Sequence, residues 1–284
     1  MGTANQNAVV RSGRKVAMEI IDPHMHMVSR SADDYRRARR AGVECCIEPA
    51  FWSGTDKQYA GSFFDYFEQI IDFETHRAER AAGMDHYVTI GLEPKEANYR
   101  EMAENVLERL PEYLDRENVV GVGEIGFDQG TDDEEWALRE QLQMAEEHEL
   151  PVIIHTPHTN KPEGTERIVE IIEEEGVTQE RIVIDHNTPE TIESSLTTDC
   201  WIGFTLYPGK ITDEKAIDLL EEHGTDKMLF NSATDWDPSD PLAVPKARDK
   251  MLDRGWPRED VKKVVFDNPY DFFDQSPNFA YDPR

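Results

Sequence analysis

Histidine and acidic residues follow several short apolar runs of this chain, and these residue types bind divalent metals. They are His24, His26, Glu124, His155, His186 and Asp235. A parallel barrel collects its strand ends on one face, so we expect these side chains to meet in one pocket. Imidazole and carboxylate ligands without a thiolate are compatible with Zn, Mn, Mg, Ni or Co. The pattern therefore predicts a metal-dependent hydrolase.

The histidines occur at positions where their rings can face a common point. His24 and His26 form a His-x-His pair after the run MEIID, and side chains two apart on a strand point to the same side. His155 ends the run PVIIH and His186 ends RIVIDH. Each one alone is equally compatible with an ordinary buried histidine, but together they indicate rings that enter one cavity.

Two acidic residues complete the predicted centre and are the candidate catalytic groups. Glu124 lies within GVGEIGFD, where a lone buried carboxylate is unfavourable, so we interpret it as a ligand between two cations. A salt bridge inside the barrel is the alternative. Asp235 follows KMLFNSAT and is interpreted as a metal ligand or as the base that deprotonates a water. Its alternative is a turn before Pro238. The six candidates exceed what one ion needs, and a centre of two ions that shares Glu124 would use them all. The predicted cofactor is therefore one or two divalent ions.

The candidate ligands belong to a regular alternation of short apolar runs and longer amphipathic stretches. We predict strands near 18–23, 43–49, 86–91, 119–125, 151–155, 181–185, 200–205 and 227–231. Helices are predicted near 32–41, 61–83, 98–115, 132–149, 164–176, 189–197, 212–224, 241–254 and 258–274. Eight strands, each followed by a helix, indicate an α/β fold, a TIM-like (β/α)8 barrel in a single domain. We place the barrel at 18–275, between a loose N-terminal tail at 1–17 and a C-terminal tail at 276–284.

Composition limits the environment and the partners. The net charge of −29 is spread along all 284 residues, which favours a hydrated acidic shell in a halophilic cytoplasm over an acidic surface for a basic partner. No basic stripe for nucleic acid is visible. The three cysteines form no CxxC pair, which is typical of a reducing cytoplasm. No segment approaches the roughly 18 apolar residues of a membrane span.

Taken together, these segments resemble the TatD family of metal-dependent hydrolases, within the amidohydrolase-like barrel superfamily. The matching pieces are DPHMH at 22–26, GEIGFD at 123–128, LPVIIHTP at 150–157, His186, SATDW at 232–236 and VKKVVFDNPYDFF at 261–273. The resemblance implies a first metal held by His24, His26, Glu124 and Asp235, and a second held by Glu124, His155 and His186. Known members include DNases that trim 3′ ends, which implies phosphodiester hydrolysis.

The chain departs from the family pattern around the presumed substrate. Pro157 and His158 follow His155-Thr156 where the family often has Arg-Asp, and Glu93 stands in GLEP where a histidine is common. Asn-Thr-Pro-Glu follows His186 in place of the usual Cys-Phe-Ser-Gly. Candidate substrate residues at the mouth are His158, Lys161, Lys210 and Trp236, with Glu48, Phe51, Trp52 and Tyr207 nearby.

Three functions follow from these observations. The first is a phosphoesterase of deoxyribonuclease type, acting on a small molecule or a nucleic-acid 3′ end. The second is an amidohydrolase or lactonase that cleaves a C–N or C–O bond in a small metabolite, which the altered substrate residues motivate. The third is a non-catalytic metal-bound scaffold, which the number of candidate ligands disfavours because structural sites are usually closed with four.

Overall fold

The computed structural model describes residues 18–283, so the tail predicted at 1–17 lies outside the described residues. Within this range eight parallel strands pair in sequence order, β1 to β8. They are β1 Ile20–Asp22, β2 Val43–Pro49, β3 Asp85–Ile90, β4 Val119–Gly126, β5 Val152–His155, β6 Ile182–Ile184, β7 Trp201–Thr205 and β8 Met228–Asn231. The predicted single-domain (β/α)8 barrel is confirmed.

The barrel closes beside the predicted metal ligands. Beyond the ends of β1 and β8, Met25 and Thr234 form a parallel bridge. The His26 N–H donates to the Thr234 carbonyl at 2.8 Å, and the Ala233 N–H donates to the His24 carbonyl at 2.8 Å. The segment that carries the His-x-His pair is therefore fixed to the segment that leads to Asp235.

Helices cover the outside of the barrel. They are α1 Ala32–Ala41, α2 Ala60–Glu68, α3 Thr75–Ala82, α4 Pro94–Ala97, α5 Arg100–Arg109, α6 Pro111–Leu114, α7 Asp132–Glu147, α8 Lys161–Glu175, α9 Ile192–Ser195, α10 Asp213–His223, α11 Ala243–Asp253, α12 Arg258–Lys262 and α13 Asn268–Phe273. Two π-helical segments, Gln69–Glu74 and Lys263–Asp267, join α2 to α3 and α12 to α13. No helix among residues 18–283 has the length and apolar character to cross a membrane.

The helix predicted at 189–197 is shorter than expected. The structure has only Ile192–Ser195 in α-helix, with Thr191 at the N-cap position. The Thr191 hydroxyl accepts the Thr188 N–H at 3.0 Å, which holds the preceding residues in a turn instead of a first helical turn.

Strand residues alternate between the inside of the barrel and the layer beneath the helices. In β1, Ile20 packs in the outer layer and Ile21 packs in the interior. The interior cluster includes Phe272, Phe273 and Tyr281 from the end of the chain. Tyr281 is only 5% exposed, so the predicted C-terminal tail packs against the barrel core.

Glycine in β4 permits close approach of β5 below the site. Gly126 pairs with His155 in the ladder, and a Cβ at Gly126 would lie 2.3 Å from the His155 carbonyl oxygen. A side chain there would push the two strands apart. The glycine therefore brings His155 beside Glu124, whose peptide bond with Gly123 is cis.

Candidate metal centre

Five of the six predicted metal ligands converge in one buried cluster. Ligand atoms of His24, His26 and Glu124 lie within 4.8 Å of one another, and so do those of Glu124, His155 and His186. Glu124 belongs to both groups. The strand ends therefore provide two adjacent half-sites with one shared carboxylate.

The Glu124 carboxylate divides its oxygens between the two half-sites. Its Oε2 lies 3.4 Å from Nε2 of both His24 and His26. Its Oε1 lies 3.2 Å from Nε2 of His186. One oxygen therefore faces the His24–His26 pair and the other faces His186, which is the orientation that a ligand bridging two ions requires.

Backbone carbonyls fix the rings of two histidines. His26 Nδ1 lies 3.2 Å from the Pro49 carbonyl oxygen, and His155 Nδ1 lies 2.7 Å from the Phe127 carbonyl oxygen. A carbonyl can only accept, so both Nδ1 atoms carry the proton. Each Nε2 then offers a lone pair to the pocket.

A carboxylate that sequence reasoning missed, Asp185, orients the other two histidines. Its Oδ2 lies 2.7 Å from His24 Nδ1, and its Oδ1 accepts the Thr205 hydroxyl at 3.2 Å and the Asn231 amide at 2.9 Å. Because the Thr205 hydroxyl donates to Asp185, it accepts from His186 Nδ1 at 2.6 Å. His24 and His186 therefore also point their Nε2 lone pairs into the pocket.

Asp185 acts on the ligands and is not itself positioned as one. It forms a third close group with His24 and His186, but its oxygens face their Nδ1 atoms and not the Nε2 atoms of the centre. Such carboxylate–histidine pairs fix the tautomer of a ligand. The sequence feature that could have identified Asp185 is its position between the apolar run RIVI and His186. Gly203 makes room for it, since a Cβ there would lie 2.2 Å from Asp185 Oδ1.

The donor set fits a divalent cation. Nε2 of His24 lies 3.0 Å from Nε2 of His26, and two lone pairs at this distance repel unless a proton or a metal ion lies between them. Burial opposes protonation of His24, but the Glu124 and Asp185 carboxylates prevail and raise its pKa to about 9. Burial also opposes ionisation of Glu124, yet His24 holds the Glu124 pKa well below its usual value. In the metal-free site a proton thus supplies the missing positive charge.

The second half-site contains neutral imidazoles. Burial, with a smaller contribution from His186, lowers the pKa of His155 well below its usual value. Burial, then the nearby Lys210 ammonium, lowers the pKa of His186 to about 3. Both rings are therefore unprotonated at neutral pH, the state in which histidine binds metal.

Asp235 lies apart from the other predicted ligands. It belongs to none of the ligand groups found within residues 18–283. Its carboxylate accepts the Tyr207 hydroxyl at 2.9 Å and the Asp237 N–H at 2.9 Å. It lines the same cavity as His26 and Glu124, so its roles as ligand and proton acceptor stay predictions.

A cavity of about 370 Å³ opens above the centre and contains most of the predicted substrate residues. His158, Lys210 and Trp236 line it, together with Glu93. Lys161 is outside this lining, because its ammonium donates to the Thr156 hydroxyl at 2.6 Å and to the Pro157 carbonyl at 3.2 Å.

A stack of aromatic rings leads from the metal ligands to the surface. The Phe51 ring lies parallel to His26 with 3.7 Å between centroids, and Trp236 stacks on Phe51 at 5.0 Å. Trp236 is 44% exposed, and Trp52 meets it edge-on at 6.1 Å. The stack packs against one face of the His26 ring and presents an aromatic surface at the mouth of the cavity.

Glu48 is not a mouth residue, contrary to the sequence prediction. It follows Cys46 at a spacing of two, so it points to the layer beneath the helices. It is fully buried, and its carboxylate lies 2.8 Å from His86 Nε2 and accepts the Val28 N–H at 2.6 Å. Its contact with the site is indirect, through the turn after His26.

The sequence as a whole matches one protein family. The model of TatD-related DNases matches residues 21–274, and the match includes every ligand described above. The chain belongs to the TatD family of metal-dependent hydrolases. It is 31% identical, over 258 residues, to an uncharacterized metal-dependent hydrolase of Methanocaldococcus jannaschii, covering 89% of this chain and 99% of that protein.

Solved structures support the TatD assignment. A TatD-like protein from Archaeoglobus fulgidus superposes with a TM-score of 0.75 at 28% identity, over 89% of this chain and 99% of that one. The phosphotriesterase homology protein of Escherichia coli, with phosphate in its active site, gives 0.65 at 15% identity over 90% and 99% of the chains. A lactonase from Listeria monocytogenes gives 0.62 at 16% identity over 90% and 95%. These last two resemblances concern the fold alone.

Proposed function

We propose that this TatD-family hydrolase cleaves phosphate esters, in small molecules or at the 3′ end of a short nucleic acid. The observation that supports the proposal is the division of the Glu124 oxygens between the His24–His26 pair, 3.4 Å away, and His186, 3.2 Å away, beneath a cavity with Lys210 in its wall. Two divalent ions held by such ligands would activate a water and polarise a phosphoryl group. Lys210 adds a positive charge on the same side.

The chain's own residues would then handle the proton and the charge. Asp235 is half-buried in the cavity wall, and the Tyr207 hydroxyl fixes its carboxylate at 2.9 Å, so it is oriented to accept a proton from the attacking water. Lys210 and His158 line the cavity from loops after β7 and β5 and would contact the phosphate oxygens. Glu124 contributes as the shared ligand.

Two further cavities flank the centre and would receive the rest of the substrate. One of about 570 Å³ shares Tyr207 and Lys210 with the central cavity, and one of about 760 Å³ shares Phe51 and Trp236. Volumes of this order suit small molecules. The net charge of −29 opposes a long polyanion, so we infer a short substrate.

Glu93 favours a second candidate function, hydrolysis of a lactone or amide. It is 8% exposed, lines the central cavity and accepts the Lys95 N–H at 2.9 Å. Burial, then the Glu124 carboxylate, raises the Glu93 pKa well above its usual value. When ionised, this carboxylate repels a phosphate but has no such effect on a neutral carbonyl centre.

A substrate panel separates the two candidates. The protein, supplied with Mn²⁺ or Zn²⁺ in molar KCl, is assayed on an aryl phosphomonoester, an aryl phosphodiester, a 3′-ended single-stranded oligonucleotide, a small lactone and a cyclic amide. We expect kcat/KM for a phosphate ester to exceed that for the lactone and the amide. Turnover of the lactone or amide alone would replace the first candidate by the second, and no turnover at all would support a scaffold.

Variants connect any turnover to the centre. We expect His155→Ala and Asp235→Ala to abolish metal-dependent turnover while the barrel stays folded. His76→Ala and Asp199→Ala change exposed residues outside the centre and serve as controls. Full activity in both centre variants would remove the proposal.

We also infer that the protein works in a reducing, salt-rich cytoplasm. The cysteines Cys45, Cys46 and Cys200 are all buried and free. Burial raises the pKa of each thiol, which keeps it unreactive. The charge of −29 gives the acidic hydrated surface that suits high salt.

A further inference from the structure

The ammonium group of Lys210 lies in the half-site formed by His155 and His186. Lys210 Nζ is 3.0 Å from His186 Nε2, the nitrogen that also lies 3.2 Å from Glu124 Oε1. A divalent ion bound by His186 and Glu124 needs this same nitrogen. The amine and an ion therefore compete for one lone pair.

The direction of the Lys210–His186 hydrogen bond follows from the network behind it. Thr205 donates its hydroxyl proton to Asp185, so His186 Nδ1 keeps its proton and Nε2 is the acceptor. Lys210 is consequently the donor. The bond uses the histidine in the tautomer that also binds metal.

Lys210 has few other partners that would hold it elsewhere. Among residues 18–283, no carboxylate oxygen forms an ion pair with its ammonium within 4.0 Å, and the ammonium also lies 5.6 Å from the centroid of the Tyr207 ring. Five other lysines of the described residues are paired with carboxylates, as Lys57 is with Glu96 at 2.9 Å. The negative charges that attract Lys210 are those of the centre, Glu124 and Asp185, with Asp235.

The other half-site has no lysine of this kind in the described part of the chain, and the proton that lies there in the absence of metal exchanges with solvent. The Nε2 atoms of His24 and His26 face each other at 3.0 Å and face Glu124 at 3.4 Å, and neither accepts from a lysine. The two half-sites thus have similar ligands, but only one contains a tethered cation.

We propose that Lys210 is an internal competitor for the second ion, so that the centre loads in order, the His24–His26 half first and the His155–His186 half second. The second ion binds only after the amine has left His186. This releases the ammonium into the cavity, where it has lost its acceptor and is available to an anionic substrate. The proposal depends on the two-ion assignment and is independent of which bond the enzyme cleaves.

Calorimetric titration of Mn²⁺ into the chelator-stripped full chain tests the order. We expect two binding steps in the wild type, separated in Kd by about tenfold or more, given the strength of a charged hydrogen bond. Lys210→Met should tighten the weaker step by about tenfold or more and leave the tighter step unchanged. Lys161→Met is the matched control, because its ammonium bonds to Thr156 and Pro157 and not to a ligand.

Further variants assign the steps to the half-sites and cover a folding failure. His155→Ala should remove the weaker step and His26→Ala the tighter one. Lys210→Gln, with a neutral polar side chain, replaces Lys210→Met if thermal melting shows that the methionine variant is unfolded. Equal Kd values for the two wild-type steps, or a second step unchanged or weakened in the Lys210 variants, would overturn the proposal.

Crystals grown with and without Mn²⁺ give a second readout. Anomalous scattering should show an ion beside His155 and His186 only where Lys210 Nζ has moved out of hydrogen-bond distance of His186. An ion present in that half-site with the Lys210–His186 bond intact would contradict the competition.

Discussion

His24 and Asp185 are 161 residues apart in the chain, yet His24 Nδ1 lies 2.7 Å from a carboxylate oxygen of Asp185. The same carboxylate accepts the backbone N–H of His186 at 2.7 Å and so contacts both half-sites. It is 1% exposed and faces no lysine or arginine within 4.0 Å in the described chain. Its charge is therefore compensated through the histidines it orients.

Replacing this carboxylate should weaken metal binding without removing any ligand. We expect Asp185→Asn to lower the affinity for Mn²⁺ by about 10- to 100-fold, because the negative charge that fixes the His24 tautomer is lost. Competition with a fluorescent chelator measures the affinity, and Asp199→Asn at an exposed position is the control. An Asp185→Asn protein with wild-type affinity would show that the hydrogen bond does not tune the ligand.

A methyl group at Gly203, on strand β7, should displace the Asp185 carboxylate without changing Asp185 itself. The added Cβ would lie 2.2 Å from Asp185 Oδ1, so the carboxylate or strand β7 must shift. We expect Gly203→Ala to destabilise the fold by about 1–3 kcal/mol and to weaken Mn²⁺ binding as well. Gly61→Ala in α2, where no atom lies within 4 Å of the new Cβ, should keep wild-type affinity. Urea unfolding and chelator competition measure the two effects, and an unaffected affinity would argue against the role of Asp185.

The metal-free protein should lose stability as the pH rises. Folding raises the pKa of His24 from 6.5 to about 9, so the native state binds about one proton more than the unfolded state between these values. The stabilisation is complete below 6.5 and is lost as the pH passes 9, with a slope of about 1.4 kcal/mol per pH unit between them. Burial also raises the pKa of Asp22 to about 7, so this group adds a loss of stability as the pH rises toward 7. Burial, then the Lys210 ammonium, lowers the pKa of Lys161 to about 8, which adds a gain of stability above that pH. The range from pH 7 to 8 therefore reports mainly on His24.

Chelator-treated protein unfolded in urea across pH 7 to 8 measures this slope. His24→Gln is the control, since it has no proton to lose, and its stability should be level over the same range. A level profile in the wild-type protein would show that His24 is neutral in the metal-free site.

Glu93 should discriminate between substrate classes. We expect Glu93→Gln to raise kcat/KM for a phosphate ester several-fold at a pH above the raised pKa of Glu93, and to have little effect below it, because only the ionised carboxylate puts a negative charge in the wall of a site that binds an anion. The effect on a lactone should be small. Steady-state kinetics on both substrates measure the change. The control is Glu101→Gln, at an exposed position. Glu96 is not suitable as a control because its carboxylate pairs with Lys57. A loss of phosphate-ester turnover would assign Glu93 a positive role.

Salt should stabilise the fold strongly. The acidic side chains that give the net charge of −29 repel one another and destabilise the folded state. At 1 M salt this repulsion is screened beyond about 3 Å. We expect Tm to rise steadily from 0.1 to 3 M KCl. A variant with three exposed glutamates neutralised, Glu108→Gln, Glu140→Gln and Glu173→Gln, should gain less from the same salt. A Tm that is independent of KCl would contradict the interpretation of the acidic surface.

The sequence predicted the barrel because strands buried on both faces must be continuously apolar. Runs such as PVIIH end at the residue that reaches the site, so the polar residue after each run identified a strand end. Glu124 could be recognised for the same reason, as a charge within an apolar run. Position along the chain was enough for these residues.

The anchoring contacts behind the ligands could not be predicted in this way. Asp185 has the same local signal as many strand-end acids, and its partner His24 lies on another strand far away in sequence. Glu48 was misplaced because a shift of one residue along a strand reverses the face, and the apolar run does not show which face is inside. The orientation of Asp235 depends on Tyr207, which comes from a different loop.

The imidazole rings of the centre are anchored through the nitrogen that points away from it, by Asp185, Pro49, Phe127 and Thr205. The geometry of the pocket is consequently set by the protein before any ion arrives, and different first-row ions would meet nearly the same arrangement of donors. Discrimination among them then falls to intrinsic affinity and cellular supply. An enzyme built in this way accepts the ion its host provides, and a change of host metal would alter its rate more than its shape.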